Sequence, residues 1–374
     1  MRIALVTNKR YPNPRGSSGG LEHLREELLM RGHKVFVFAS TQKDGGRQEG
    51  QIYRFRVTEL FGKRCVWNSW QVVHKLSSLE IDIVHTQQYD GLGKVAKDWA
   101  LRENIPWIQT VSDTVSVRKG KSIKENPSVI ITPAKALKKM LEEQSFVGEN
   151  IAVIPSGVEP RLFEGANGLS IRRKWDIPSN AKVLLSVSRI TQEKNSQFLF
   201  QSLLSLIKRR EDVYLFCVGG GDLLEFFRTE ILAKGLQDRV FFTEEVSKYE
   251  MKHYYDAGDI FVYVSKEDFR ATVVAEAMCA KLPVVAVRSG GSQERIIDGV
   301  TGFLTKDLDK ENEFSRKVEY LLENEEVACT FGIAGYRHMM KEYTNALCVD
   351  ALLGVYEYAL KKNKKFSSGE KKFL

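Results

Sequence analysis

Two carboxylates, Asp268 and Glu276, stand eight positions apart in SKEDFRATVVAEAMCAKLP, with an apolar run between them. Glu276 opens EAMCA, which reads as the start of a helix. A carboxylate accepts hydrogen bonds from two vicinal hydroxyls, so sugars and riboses are natural partners. Spaced across a loop and a helix start, the pair could hold two sugar rings of one ligand. The same residues are also what a solvated loop Asp and a first-turn helix Glu look like. Arg189 and Lys194 in SVSRITQEKN leave the end of an apolar run, where open α/β sheets bind ligands. Arg gives a fork and Lys a point charge, which suits a diphosphate, or else both are surface charges. Gly219-Gly220-Gly221 permits close approach to a ligand or a tight turn, and Gly290-Gly291 follows another strand-like run.

The elements that must hold these groups are short apolar runs alternating with helical patterns. Residues 3–6, 35–38, 81–84, 107–111, 129–132 and 151–154 read as buried parallel strands. Leu21, Leu24, Leu28 and Leu29 form a helical stripe that ends near Gly32. A second series, 183–187, 214–218, 240–242, 260–264 and 284–286, follows a linker expected around 155–168. The expectation is an α/β chain with two doubly wound, Rossmann-like domains facing an interdomain cleft. The first domain is placed at 1–160 and the second at 161–344. Residues 345–374 are expected to form a last helix and then a basic tail.

The first βα connection, TNKRYPNPRGSSGGLEHL, does not match GxGxxG, which weakens a nicotinamide-dinucleotide reading. It puts Gly19-Gly20 just before a helix, whose N-terminus favours an anionic phosphate; a plain cap pair is the alternative. Asp307-Leu308-Asp309 looks like a metal-binding DxD, but its position before an amphipathic helix makes an N-cap the better reading.

The 374 residues carry a net charge of +8. Residues 1–150 hold 24 Lys+Arg and 16 Asp+Glu, whereas 151–374 hold 32 of each. The excess therefore sits in the first half, which could face an anionic membrane or a phosphorylated acceptor. No nucleic-acid motif is present, so no nucleic-acid partner is expected. Five dispersed cysteines without CxxC spacing argue for reduced thiols in a cytoplasm and against a zinc site. No run of about 18 apolar residues and no signal-peptide core occurs. A cytoplasmic chain, at most peripheral on the inner face of the membrane, is expected. Trp67, Trp70, Val73 and Leu76 beside Lys63, Arg64 and Lys75 have the spacing of an interfacial helix, or of an ordinary packing helix.

In order along the chain, GGLEH, RGHKV, DIVH, IPSGVEPRLF, VSRITQEKN, GDIFVYVS and DFRATVVAEAMCAKLPVVAV resemble the signatures of the GT-B-fold retaining glycosyltransferases of family 4. GGxxE and DGxxGFL follow in place, and the resemblance runs from residue 1 to about residue 304. It implies metal-independent transfer of a sugar, with retention of configuration, from a nucleotide diphosphate, expected to be UDP. The nucleotide sugar is a co-substrate, and no cofactor or metal is implied. The acceptor would be a carbohydrate or a lipid-linked or cell-envelope glycan precursor. On this resemblance Arg189 and Lys194 would neutralise the leaving diphosphate, with Gly19 and Gly20 assisting from the other wall. Glu276 would hold the ribose, Asp268 the donor sugar, and the Arg270–Thr272 segment (Arg270, Ala271, Thr272) would line the donor, while the last helix, in 345–374, would pack back on the first domain.

Departures from the pattern bear on mechanism. Ser112, followed by Asp113, occupies the place of the family's histidine near the reacting carbon. His85 keeps the first His of an HxH pair, with Gln87 at the second; His85 and Asp113 are acceptor-side candidates, and His85 could equally be structural. Asp268 is one methylene shorter than the family's Glu. Arg270-Ala271 replaces Phe-Gly, and Arg270 could favour an acidic sugar or face outward. Glu244 stands where a small Gly is common. Ser112 also motivates an alternative, a catalytically impaired nucleotide-sugar binder; a nucleotide-sugar epimerase on the same fold is a further one.

Overall fold

The computed structural model describes residues 1–12, 20–41, 48–60, 63–114, 127–144, 150–247, 249–306 and 311–367. The chain divides into two compact units. Among the described residues, the first unit carries β1 (Arg2–Val6), β2 (Lys34–Thr41), β3 (Gln48–Glu49), β4 (Ile52–Leu60), β5 (Lys63–Val66), β6 (Ile83–Thr86), β7 (Trp107–Thr110), β8 (Val129–Thr132) and β9 (Ile151–Val153). Their order is β3-β4-β2-β1-β6-β7-β8-β9, with β5 paired to β4. All pairings are parallel except those of β3 and β5 with β4.

Alternation along β1 explains why the strand is apolar from Ile3 to Val6. Ile3 and Leu5 point into one core with Leu28, Val349, Leu352 and Tyr356. Ala4 and Val6 point into another with Val72, Leu76, Leu92 and Trp99. A parallel strand covered by helices on both faces has no solvent side to mark with polar residues. The helix Asn345–Ser367 supplies Val349, Leu352, Tyr356 and Ala359 to the first of these cores.

The second unit carries β10 (Lys182–Val187), β11 (Val213–Val218), β12 (Val240–Phe242), β13 (Ile260–Tyr263), β14 (Val284–Val287) and β15 (Gly302–Thr305), ordered β12-β11-β10-β13-β14-β15 and all parallel. The units part at Pro155/Ser156, a few residues before the expected 160/161. The cause is local. The Val158 amide donates to the Tyr343 carbonyl at 2.9 Å, and Ser156 offers its carbonyl to Arg295. Val158 itself is buried in the second unit's core.

Two further expectations shift. The 81–84 strand lies at Ile83–Thr86, and the tryptophan segment is not one helix. Lys63–Val66 is a strand, Trp67 stands in the turn after it, and the helix begins at Ser69. Its buried positions are Val72 and Leu76, which pack in the core, while Trp67 and Trp70 are exposed. Among the described residues no helix is long and apolar enough to cross a membrane.

Candidate functional site

In the second sheet, successive strands run outward in opposite directions from β10 and β13, which are hydrogen-bonded neighbours. That is a topological switch point, the place where loops at the C-terminal strand ends leave room for a ligand. The loop after β10 carries Arg189 and Lys194. It is fixed by Ser188 N–H donating to Val218 and Ile190 N–H donating to Gly220, at 3.0 and 2.9 Å. The glycine triplet makes this possible. A Cβ on Gly219 would lie 2.2 Å from the Ser188 carbonyl oxygen, and one on Gly221 would lie 2.1 Å from that of Ile190. These two glycines therefore admit the chain's own backbone. Glu244, opposite Gly219, takes a left-handed φ of 57° and pairs with Arg228 at 2.9 Å, the conformation that favours a glycine there.

Arg189 is exposed and pairs with Glu193 at 2.8 Å. Lys194 is largely buried, and its ammonium lies 3.4 Å from Asp268 Oδ2. Asp268 belongs to the loop after β13, and its carboxylate is engaged by its own surroundings. Oδ1 accepts the Arg270 and Ala271 amides, each at 3.0 Å, and Oδ2 accepts the Tyr263 hydroxyl at 2.8 Å besides facing Lys194. Burial works to raise this carboxyl, but the Lys194 charge, the two amides and the phenol together hold it below the usual carboxylate range. The loop after β14 buttresses the turn from behind. Gly291 N–H donates to the Asp268 carbonyl at 2.8 Å, and a Cβ on Gly290 would lie 2.4 Å from the Phe269 ring.

Ala271 holds φ 42°, ψ 45° at the N-cap of the helix Thr272–Cys279 and is fully buried. A left-handed alanine costs on the order of 1 kcal/mol, which is the physical sense of a glycine at this place in the family. Arg270 is exposed and Thr272 half-buried. Glu276 sits in the second turn of the helix, not at its start, because the helix begins at Thr272. Its Oε2 accepts the Tyr255 hydroxyl at 2.7 Å. Burial pushes the Glu276 carboxyl up to about 7, against the pull of the Tyr255 bond and the Arg295 charge.

Three participants carry no signal in the sequence taken alone: Tyr255, Tyr263 and Arg295. Arg295 is 2% exposed. It donates to the Arg270 carbonyl at 2.9 Å and the Ser156 carbonyl at 2.7 Å, and lies over the Tyr343 ring at 4.9 Å. It thereby ties the unit's entry, the 268–271 loop and the residue before Thr344 together.

In the first unit the switch point lies between β1 and β6. Asn8 bridges the two following loops, accepting the Leu92 amide at 2.9 Å and donating to Asp90 Oδ1 at 2.8 Å. His85 on β6 is buried, with Nδ1 2.7 Å from the Tyr356 hydroxyl and Nε2 2.7 Å from Thr110 Oγ1. Burial holds its pKa down at about 4, so the ring is neutral near pH 7. Gln87 reaches the same Nε2 at 3.4 Å. Ser112 is half-buried and Asp113 exposed, just past the end of β7. Gly20 opens the helix Gly20–Met30; Gly19 and the Asp307–Asp309 stretch lie outside the described residues.

Two doubly wound βα units, the second with cations and carboxylates at its switch point, have the architecture of the GT-B fold. Family models agree: "Glycosyl transferases group 1" matches residues 169–345 and "Glycosyltransferase Family 4" matches residues 14–162. The alpha-monoglucosyldiacylglycerol synthase of Streptococcus pneumoniae is 30% identical over 316 residues, 76% of this chain and 71% of that protein. Spore coat protein SA of Bacillus subtilis is 22% identical over 381 residues, 96% of this chain and 99% of that one. Among solved structures, Anabaena HepE in complex with UDP and glucose superposes with a TM-score of 0.77 at 18% identity, covering 96% and 99% of the two chains. The pneumococcal O-GlcNAc transferase GtfA in complex with UDP and GlcNAc gives 0.73 at 11%, covering 96% and 99%. The chain belongs to the family 4, group 1 glycosyltransferases of GT-B fold.

Proposed function

We propose that this chain is a retaining, metal-independent glycosyltransferase that moves a sugar from UDP to a hydroxyl acceptor on a lipid or lipid-linked glycan precursor. The observation that carries the reading is the largely buried Lys194 at the β10/β13 switch point, with Glu276 on the adjoining helix. In this reading the acceptor oxygen bonds to the anomeric carbon on the face the diphosphate leaves from, as the bond from that carbon to the diphosphate oxygen breaks and the hydroxyl proton passes to that departing oxygen. Lys194 and Arg189 neutralise the departing charge, Glu276 accepts the ribose hydroxyls, and Gly20, Ser112 and Asp113 belong to the first unit's share of the substrates. UDP in the complexes of HepE and GtfA supports the nucleotide, and the synthase name of the pneumococcal relative supports a lipid acceptor. A thermal-shift titration tests it. UDP at a hundredfold excess over its dissociation constant adds about 2.7 kcal/mol of stability. Transfer from a UDP-sugar should persist in excess chelator. No response to UDP would sink the donor assignment, and loss of turnover on chelation would sink metal independence.

Ser112, in place of the family's histidine, favours a second reading, a binder with impaired turnover; UDP-sugar binding without transfer to any lipid or glycan acceptor would select it. For membrane contact the supporting observation is the exposed pair Trp67 and Trp70, at 55% and 65%, with Arg56 5.5 Å from the Trp67 ring. Segment 52–76 holds five Lys/Arg against one Glu. Vesicles containing anionic lipid are expected to co-sediment the chain at low salt, and Trp70→Glu should abolish this. Equal sedimentation of the variant would remove these tryptophans from the interface.

A further inference from the structure

Lys194 is not held by its own loop alone. Its ammonium faces Asp268 Oδ2 at 3.4 Å, and that oxygen in turn accepts the Tyr263 hydroxyl at 2.8 Å. Tyr263 ends β13 and is 3% exposed, so its ring is fixed by the core and cannot reach a ligand in the loops above. The other carboxylate oxygen is pinned by the Arg270 and Ala271 amides, and the backbone of Asp268 by Gly291. Asn195, next to Lys194, donates from its side chain to the Val264 carbonyl at 3.3 Å, one residue beyond Tyr263. A flexible four-carbon stem is thus presented to the switch point by a rigid chain of contacts that starts inside the sheet.

We propose that Tyr263 is a positioning residue: through Asp268 it sets where the Lys194 ammonium stands to meet the diphosphate. Asp268 then serves as the relay, with its carboxylate committed to four donors of its own unit instead of to donor-sugar hydroxyls. A lysine is a mobile point charge, and holding it in place before the ligand arrives removes an ordering cost from binding and from the transition state. This deepens the diphosphate reading of the second unit and rests on it.

The test compares UDP with uridine in the Tyr263→Phe variant. Phe keeps the ring and its packing and removes only the hydroxyl, leaving every charge unchanged. The affinity for UDP is expected to fall about tenfold, the size of one hydrogen bond to a charged group. Uridine, which has no phosphate for Lys194 to meet, should bind the variant within twofold of the wild type. Unchanged UDP affinity would overturn the positioning role, and so would a parallel fall for uridine, which marks general loosening of the site. A wild-type chain that binds uridine but gains nothing from the diphosphate would overturn the functional reading itself, with the positioning role falling alongside it.

Discussion

Replacing Lys194 by Ala is expected to lower kcat for sugar transfer by about 10²–10³-fold, the usual cost of removing one preorganised charge from a developing oxyanion. The leaving diphosphate gains charge as its bond to the sugar lengthens, so a cation already in place contributes most at the transition state. Lys194 meets that requirement better than Arg189. Its side chain is 17% exposed against 60%, and screening by water weakens an exposed charge severalfold. The loss should appear mainly in kcat, with the Michaelis constant for the UDP-sugar changing less. The fold should survive, because Asp268 keeps three other donors from Arg270, Ala271 and Tyr263. Steady-state transfer kinetics decide the matter; a variant within tenfold of wild type would remove Lys194 from the chemistry.

The second large effect concerns stability and pH in the first unit. His85 has a pKa of about 4 in the folded state against 6.5 for an ordinary imidazole. Between those values the unfolded chain takes up a proton that the folded chain refuses. Stability is therefore full above pH 6.5 and is lost as the pH falls toward 4, by about 3 kcal/mol at most. His85→Leu should cost a similar amount at pH 7.5, since it leaves the buried Tyr356 and half-buried Thr110 hydroxyls without their partner. The gap between wild type and variant should then close as the pH drops to 4. Urea unfolding followed by tryptophan fluorescence in a Trp175→Phe background reads the first unit alone, because the other four tryptophans lie there. A gap that stays constant from pH 7.5 to 4 would refute the linkage. Glu276 carries the opposite sign in the second unit. Its folded pKa of about 7 lies above the ordinary 4.5, so its contribution is complete below pH 4.5 and fades as the pH rises through 7.

What could be read from the residues follows from how locally each feature is encoded. Strands such as Val213–Val218 and Ile260–Tyr263 are covered on both faces, so their sequences are apolar without interruption. Ile52–Leu60 escaped because Arg54, Arg56 and Glu59 break its apolar run, and Gly302–Thr305 because Phe303 and Leu304 are its only large apolar residues. That Lys194 leaves a strand end and that Glu276 lies on a helix could be read from the surrounding patterns, although the helix start could not. The surroundings of Asp268 were not: Lys194 and the Gly291 amide reach it only when β10, β13 and β14 lie side by side, and the turn that brings the Tyr263 hydroxyl and two amides to its carboxylate leaves no pattern in the residues. Arg295 sits in GGSQER among polar neighbours and looks like a surface residue. Only the fold brings the Ser156 and Arg270 carbonyls to it.

The path of the chain limits how this protein can be rearranged by recombination. Among the described residues, the first unit is built from two distant stretches, one ending at Pro155 and one beginning at Asn345, with the second unit inserted between them. A segment cut at Pro155 and joined to a foreign partner leaves behind Val349, Leu352, Tyr356 and Ala359, and with Tyr356 one of the two groups that satisfy His85. The inserted stretch, by contrast, carries its complete sheet and the Tyr263–Asp268–Lys194 chain within one continuous run. Exchange between relatives is therefore asymmetric: the second unit is a portable cassette, whereas the first travels intact only if both of its ends come with it.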